Sequence, residues 1–328
     1  MINWGIIGCG NVTEVKSGPA FNKVAGSRLA AVMRRNAALA EDYAKRHKVP
    51  KFYSRAEDLI NDSEVNAVYI ATPPGSHKEY GIAAIRAGKP VYIEKPMALN
   101  YKECQEINEA SEKYGIPVFV AYYRRTLPGF LRVKEFIEKG IIGKVQFVQL
   151  QLFKAPSDNE RDGKLPWRVD PAISGGGHFF DLASHQLDWL DFVFGPIQQV
   201  KSIVRNYSGL YKAEDFVTAE FSFPDNITGT GTWCFGSPES NSRDIIEIIG
   251  SEGSINFSTF SFESIEVVNG SGRKRYVNER PEHVQLYLIE KIVQSLEGKG
   301  ISPSTGNSAA RTAKVMDEIV AEYYKENK

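Results

Sequence analysis

Apolar residues occur in short continuous runs up to about residue 122 and in longer, imperfectly alternating runs beyond it. Positions 2–7, 28–33, 67–71, 90–93 and 117–121 are apolar stretches of strand length, the third closed by Thr72-Pro73-Pro74-Gly75. Positions 37–47, 77–87 and 100–114 have helical composition, with Asn36 and Ser76 as candidate N-caps. Short strands separated by helices predict βαβ units and a parallel sheet. After a helix expected over 128–139, alternating runs follow at 144–153, 198–207, 216–223, 227–235, 244–249, 254–257 and 264–268. Short turns between them, such as Gly250-Ser251-Glu252-Gly253, predict a mostly antiparallel sheet. Late helices are expected over 282–296 and 308–324. The expected architecture is α/β: a dinucleotide-binding parallel domain over 1–122, and an α+β substrate-binding domain with a large open sheet over 123–328, with a cleft between them.

Composition narrows the function classes. The chain has 328 residues, 42% apolar and 24% charged, which describes an ordinary globular protein long enough for two domains. Lys+Arg and Asp+Glu are 40 each, so no net field attracts nucleic acid or an anionic membrane. Cys9, Cys104 and Cys234 are widely spaced and odd in number, which argues against a disulfide framework or a cysteine-rich zinc site and suits a cytoplasmic protein. The N-terminus lacks a basic leader, and no apolar run approaches the roughly 18 residues of a membrane span.

The first strand runs into Gly8-Cys9-Gly10-Asn11-Val12-Thr13. The first glycine permits a tight turn, the second lets backbone approach a pyrophosphate, and helix N–H groups at Asn11 and Val12 favour its charge. Thr13 replaces the third glycine of the strict pattern. A ribose-binding acid is expected about 20 residues on; Arg34 and Arg35 stand there instead. Guanidinium groups bind phosphate bidentately, which favours the 2′-phosphate of NADP(H) over NAD(H). The alternative is a solvated loop.

Two further segments carry chemistry. The strand at 90–93 ends in Glu94-Lys95-Pro96, so Lys95 projects from the edge where open α/β sheets bind ligands. Gly175-Gly176-Gly177-His178 opens a helix bearing Asp181 and His185, four apart on one face. A histidine beside a carboxylate suits general acid–base chemistry. A helix-capping Asp181 with a core His185 is the plain structural alternative, and His178, Asp181, His185 and Asp188 fall at offsets that also raise a metal site.

Together these residues resemble the family of glucose–fructose oxidoreductase and inositol 2-dehydrogenase. The resemblance rests on Gly8-x-Gly10, Ala71-Thr72-Pro73-Pro74 with His77, Glu94-Lys95-Pro96, Trp167-Arg168, and the triple glycine leading to Asp181 and His185. It implies Lys95 at the reaction centre, His185 as acid or base, and Asp181 orienting substrate. It also implies that Thr72, Pro73, His77 and Glu94 line the cofactor site, and that Trp167 and Arg168 approach the cofactor, as in the sugar-reductase branch that includes 1,5-anhydrofructose reductase. Tyr122-Tyr123-Arg124-Arg125 keeps the arginines of a family motif and lacks its asparagine. The expectation is an NADP-preferring, metal-free oxidoreductase of a carbohydrate or polyol, with no nucleic-acid or membrane partner. A regulatory sugar- or nucleotide-sensing protein is the alternative. Imperfect alternation, as in Ile245-Ile246-Glu247-Ile248-Ile249, leaves apolar side chains for both sheet faces and predicts a homo-oligomer, dimer or tetramer, joined there.

Overall fold

The run Ile2–Ile7 forms strand β1 at the centre of a parallel sheet in the computed structural model of the chain, which describes residues 1–326. Its companions are β2 (Ser27–Met33), β3 (Lys51–Tyr53), β4 (Ala67–Ile70), β5 (Val91–Ile93) and β6 (Val118–Val120), in the order β3-β2-β1-β4-β5-β6. Every neighbouring pair is parallel. Every residue of β4 and β5 is buried, as a sheet covered on both faces requires. The order reverses between β2 and β4 around β1, which places the topological switch point at the end of β1.

The connecting helices include α1 (Asn11–Val15), α2 (Ala37–His47), α3 (His77–Arg86) and α4 (Tyr101–Tyr114). Asn36 and Asn100 cap α2 and α4 by accepting the N–H of Leu39 and Glu103. The Ser76 hydroxyl makes no such cap. It donates to Thr72 Oγ1 and approaches Pro73 O, because the chain enters α3 through a 3₁₀ turn at Pro74–Ser76.

The second sheet contains β7 (Val145–Phe153), β8 (Gln198–Arg205), β9 (Phe216–Ser222), β10 (Thr228–Cys234), β11 (Arg243–Gly250), β12 (Gly253–Phe257), β13 (Ile265–Asn269) and β14 (Gly272–Tyr276). Their order is β14-β13-β12-β11-β7-β10-β9-β8. All neighbours are antiparallel except β7 and β10, which pair in parallel. Short turns do not predict that pair: the two strands are separated by a long crossover, the connection that parallel strands need.

One face of this sheet is covered by α5 (Pro128–Glu138) and α6 (His178–Phe194). Phe179 meets Trp233 edge-on at 5.1 Å, and Trp189 meets Phe257 and Phe130 at 5.2 and 5.5 Å. Gln186, fully buried, accepts from Trp233 Nε1 at 2.7 Å and donates to Thr259 Oγ1 at 2.8 Å. The opposite face is mixed rather than apolar: partly exposed Phe147, Phe153 and Ile249 alternate with Gln149, Gln151, Thr230 and Thr232. Two further helices are α7 (Leu286–Leu296) and α8 (Gly306–Glu326).

The chain divides into two compact units, Met1–Thr126 with Pro281–Ala310, and Leu127–Arg280 with Arg311–Lys328. This differs from a single break at residue 122. The segment carrying α7 returns to the parallel sheet, where Ser304 Oγ donates to Val120 O and Arg125 to Pro303 O. No helix among the described residues is long and apolar enough to cross a membrane.

Candidate active site

In the first unit, the candidate residues gather at the C-terminal edge of the parallel sheet. Gly8 has φ +92°, and a Cβ there would lie 2.7 Å from Thr72 Cγ2 and 2.9 Å from Thr72 N, so only glycine fits. The N–H groups of Gly8 and Cys9 both donate to Met33 O at the end of β2, which sets the turn beside Arg34 and Arg35. Both arginines are exposed. Thr13, which stands where the third glycine would, locks the turn: its hydroxyl accepts from Gly10 N and donates to Gly10 O. Open space lies before Gly10, where a Cβ would come no nearer than 3.9 Å to Gly8 O. A glycine turn at a switch point, unobstructed at Gly10 and followed by helix N–H groups at Asn11 and Val12, fits a dinucleotide pyrophosphate.

Thr72 and Pro73 are partly exposed at the end of β4, and Lys95 is partly exposed at the end of β5. His77 and Glu94, expected to line the cofactor site, are both buried at the ends of these strands. His77 has no exposed surface; Nε2 lies 2.7 Å from Thr72 O and Nδ1 3.0 Å from Pro96 O, so the ring clips the ends of β4 and β5 together. Burial lowers its pKa against the pull of those carbonyls. Glu94 accepts from Tyr69 Oη at 2.6 Å, from Gln285 Nε2 at 2.5 Å, and from the N–H of Lys95 at 3.2 Å. Arg124 and Arg125 are 2% and 3% exposed, so they too are buried.

In the second unit, Gly177 is the N-cap of α6 and donates its N–H to Glu214 Oε1 at 2.8 Å. A Cβ on Gly177 would meet Glu214 O at 2.6 Å. Glu214 is fully buried and receives the Tyr324 hydroxyl on its other oxygen; burial pushes its carboxyl up to about 7. Along α6, Asp181 is one turn before His185, and it sits inside the first turn rather than at the cap. Arg168 Nε donates to Asp181 Oδ2 at 3.2 Å while its guanidinium lies 4.5 Å from the Trp167 ring centre. The Trp167–Arg168 pair and Asp181 are therefore neighbours. His185 is 3% exposed and meets Phe260 edge-on at 6.1 Å.

The helical offsets of a metal site do not translate into a cluster. His178 turns to Glu160, 2.6 Å away; Asp181 turns to Arg168; Asp188 accepts from Thr312. Among the described residues, no group of three or more His, Cys, Asp or Glu side chains is arranged to hold a metal ion. Glu160 was legible in part: Ser157-Asp158-Asn159-Glu160 is a capping-box pattern, and the box forms. Its second task, holding His178 and hence the start of α6, is a tertiary contact with no local signal. The same is true of Gln285, Gln186 and Glu214.

Residues 2–122 match the model of an oxidoreductase family with an NAD-binding Rossmann fold, GFO/IDH/MocA, and residues 130–256 match the GFO/IDH/MocA C-terminal domain. Oxidoreductase P35 of Formosa agariphila is 41% identical over 96% of this chain and 97% of its own length. This chain belongs to the GFO/IDH/MocA oxidoreductase family. A more distant relative of this family member is the 1,5-anhydro-D-fructose reductase of Ensifer adhaerens, 26% identical over 78% of this chain and 75% of that one. Among solved structures, levoglucosan dehydrogenase in complex with NADH and levoglucosan superposes with a TM-score of 0.87, covering 99% of this chain and 98% of that chain at 23% identity. At that identity the likeness is one of fold. The chain is thus an oxidoreductase with an NAD-binding Rossmann domain.

Proposed function

We propose that this GFO/IDH/MocA member transfers hydride between NADP(H), bound in preference to NAD(H), and a sugar, polyol or related carbohydrate. The observation that carries the cofactor choice is the pair of exposed arginines at the end of β2, held beside the glycine turn by the bonds from Gly8 and Cys9 to Met33 O. The position that would hold a ribose-binding carboxylate offers two cations to a phosphate instead. The carbohydrate class is supported by relatives whose names specify anhydrofructose and levoglucosan.

The bound nicotinamide supplies or accepts the hydride. The phosphates are assigned to the turn at Gly8, Gly10, Asn11 and Val12. Thr72 and Pro73 line the cofactor side of the sheet edge, and Trp167 and Arg168 approach the cofactor. Lys95 stabilises the oxyanion that develops on the reacting oxygen. His185 takes the hydroxyl proton in oxidation and returns it in reduction; its near-complete burial would shield that transfer from water. Asp181 binds and orients the substrate, with Arg168 as its charge partner. The protein acts in the cytoplasm as a homo-oligomer joined through the open face of the second sheet. The direct test is consumption of NADPH and NADH against a panel of keto-sugars, aldoses and polyols. The proposal expects turnover of at least one carbohydrate with NADPH favoured; turnover of none, or equal use of NADH, would overturn it.

A further inference from the structure

We propose that Gln285 is a positioning residue for Lys95, acting through Glu94; the inference rests on the reading of Lys95 as the group at the reacting oxygen. Gln285 is fully buried, and it lies far beyond the parallel-sheet sequence in the returning segment of the first unit. Its backbone N–H donates to Lys16 O at 3.2 Å, and His283 Nδ1 lies 2.6 Å from Val15 O. The segment is therefore fixed against the end of α1 independently of the Gln285 side chain.

The side chain bridges two groups of opposite need. Its Nε2 donates to Glu94 Oε1 at 2.5 Å, and its Oε1 accepts from Tyr92 Oη at 2.7 Å. Tyr69 Oη spends its one proton on the same Glu94 oxygen at 2.6 Å. This assignment is forced, since the reversed amide would set its oxygen against a carboxylate. Burial raises both phenols well above their ordinary range, so they remain donors. With Oε1 held by two donors, Glu94 presents Oε2 to the N–H of Lys95 at 3.2 Å. The residue following Glu94 is thus oriented by a carboxylate that Gln285 and Tyr69 hold from behind. A glutamine supplies the donor and the acceptor together; neither methionine nor glutamate can replace both.

The test compares wild type, Gln285→Met and the double variant Gln285→Met/Tyr92→Phe. The single change orphans the Tyr92 hydroxyl and lowers stability, and the double change removes that orphan. A glutamine that served only the Tyr92 hydroxyl would then be fully repaired, and the one loss left is the donor to Glu94 through which Lys95 is positioned. Two readouts separate the cases in the full-length protein. The first is the NMR resonance of Lys95 after reductive methylation with isotope-labelled formaldehyde, assigned by Lys95→Arg. It should move in both variants while the other lysine resonances stay. The second is turnover of the carbohydrate substrate, which should stay about 10- to 100-fold low in the double variant after stability recovers, with KM for NADPH little changed. A wild-type Lys95 resonance in the stable double variant would overturn the inference. If that resonance moves but Lys95→Ala keeps its turnover, Gln285 does position Lys95, and the assignment of Lys95 to the reaction is what fails.

Discussion

Glu214→Gln offers a quantitative test of how α6 is anchored. Glu214 is fully buried, accepts the N–H of Gly177 at the N-cap, and receives the Tyr324 hydroxyl. Burial dominates and raises its carboxyl from 4.5 to about 7. The folded state therefore holds this proton more tightly than the unfolded chain. The stability this contributes is fully present below the ordinary carboxyl range, declines as pH rises, and is lost above about 7. Each pKa unit corresponds to about 1.4 kcal/mol, so the full decline is on the order of 3 kcal/mol. Glutamine mimics the protonated acid and does not titrate. The measurement is urea unfolding of both proteins across that pH range. Three of the four tryptophans, Trp167, Trp189 and Trp233, belong to the second unit, so tryptophan fluorescence reports mainly on it. The variant should gain on the wild type by about 3 kcal/mol from acid to neutral pH. A difference that stays constant with pH would refute the buried-acid reasoning. A difference of opposite sign would show that the Gly177 and Tyr324 hydrogen bonds outweigh burial and keep the carboxylate ionised.

Other outcomes follow from the same geometry. Arg34→Ala/Arg35→Ala should erase an NADPH preference of about 10- to 100-fold, since a charge-assisted contact contributes about 1.5–3 kcal/mol; fluorescence titration with both reduced cofactors measures it. Gly8→Ala should abolish binding of either cofactor and lower stability, because the new methyl meets Thr72 at 2.7 Å with φ at +92°; calorimetric titration and thermal unfolding check both effects. Light scattering at micromolar concentration should find a homo-oligomer, and a charge at Ile249 on the open face should dissociate it; a wild-type monomer would contradict that assignment.

The legible parts of this chain are those where local pattern and tertiary need coincide. The helix at 37–47 and the strand at 2–7 emerge with the boundaries their apolar pattern predicts, and the glycine turn lies where its spacing places it. Strand β3 is only three residues, none buried, and β14 reads Gly-Arg-Lys-Arg-Tyr, so hydrophobic pattern is silent on both. Charges on β14 suit an edge strand, whose unpaired backbone must be kept from other chains. The candidate residues divide the same way. Lys95, Asp181 and His185 stand in local motifs, whereas Gln285 reaches Glu94 from 191 positions away and Glu214 reaches Gly177 from 37. A motif marks the sheet edge where His77 and Glu94 stand, whereas their burial there comes from the tertiary packing.

The central claim is that Lys95 and His185 serve one hydride transfer from NADPH to a carbohydrate carbon. The most direct measurement is single-turnover transfer of deuterium from NADPH labelled at nicotinamide C4, read by mass spectrometry of the carbohydrate product. Wild type should label one carbon. Lys95→Ala and His185→Ala should each slow that labelling by about 10²–10⁴-fold while still binding NADPH, and the double variant should lose less than the combined effect of the two. Labelling by His185→Ala at close to the wild-type rate would contradict the account and make His185 a core residue of α6.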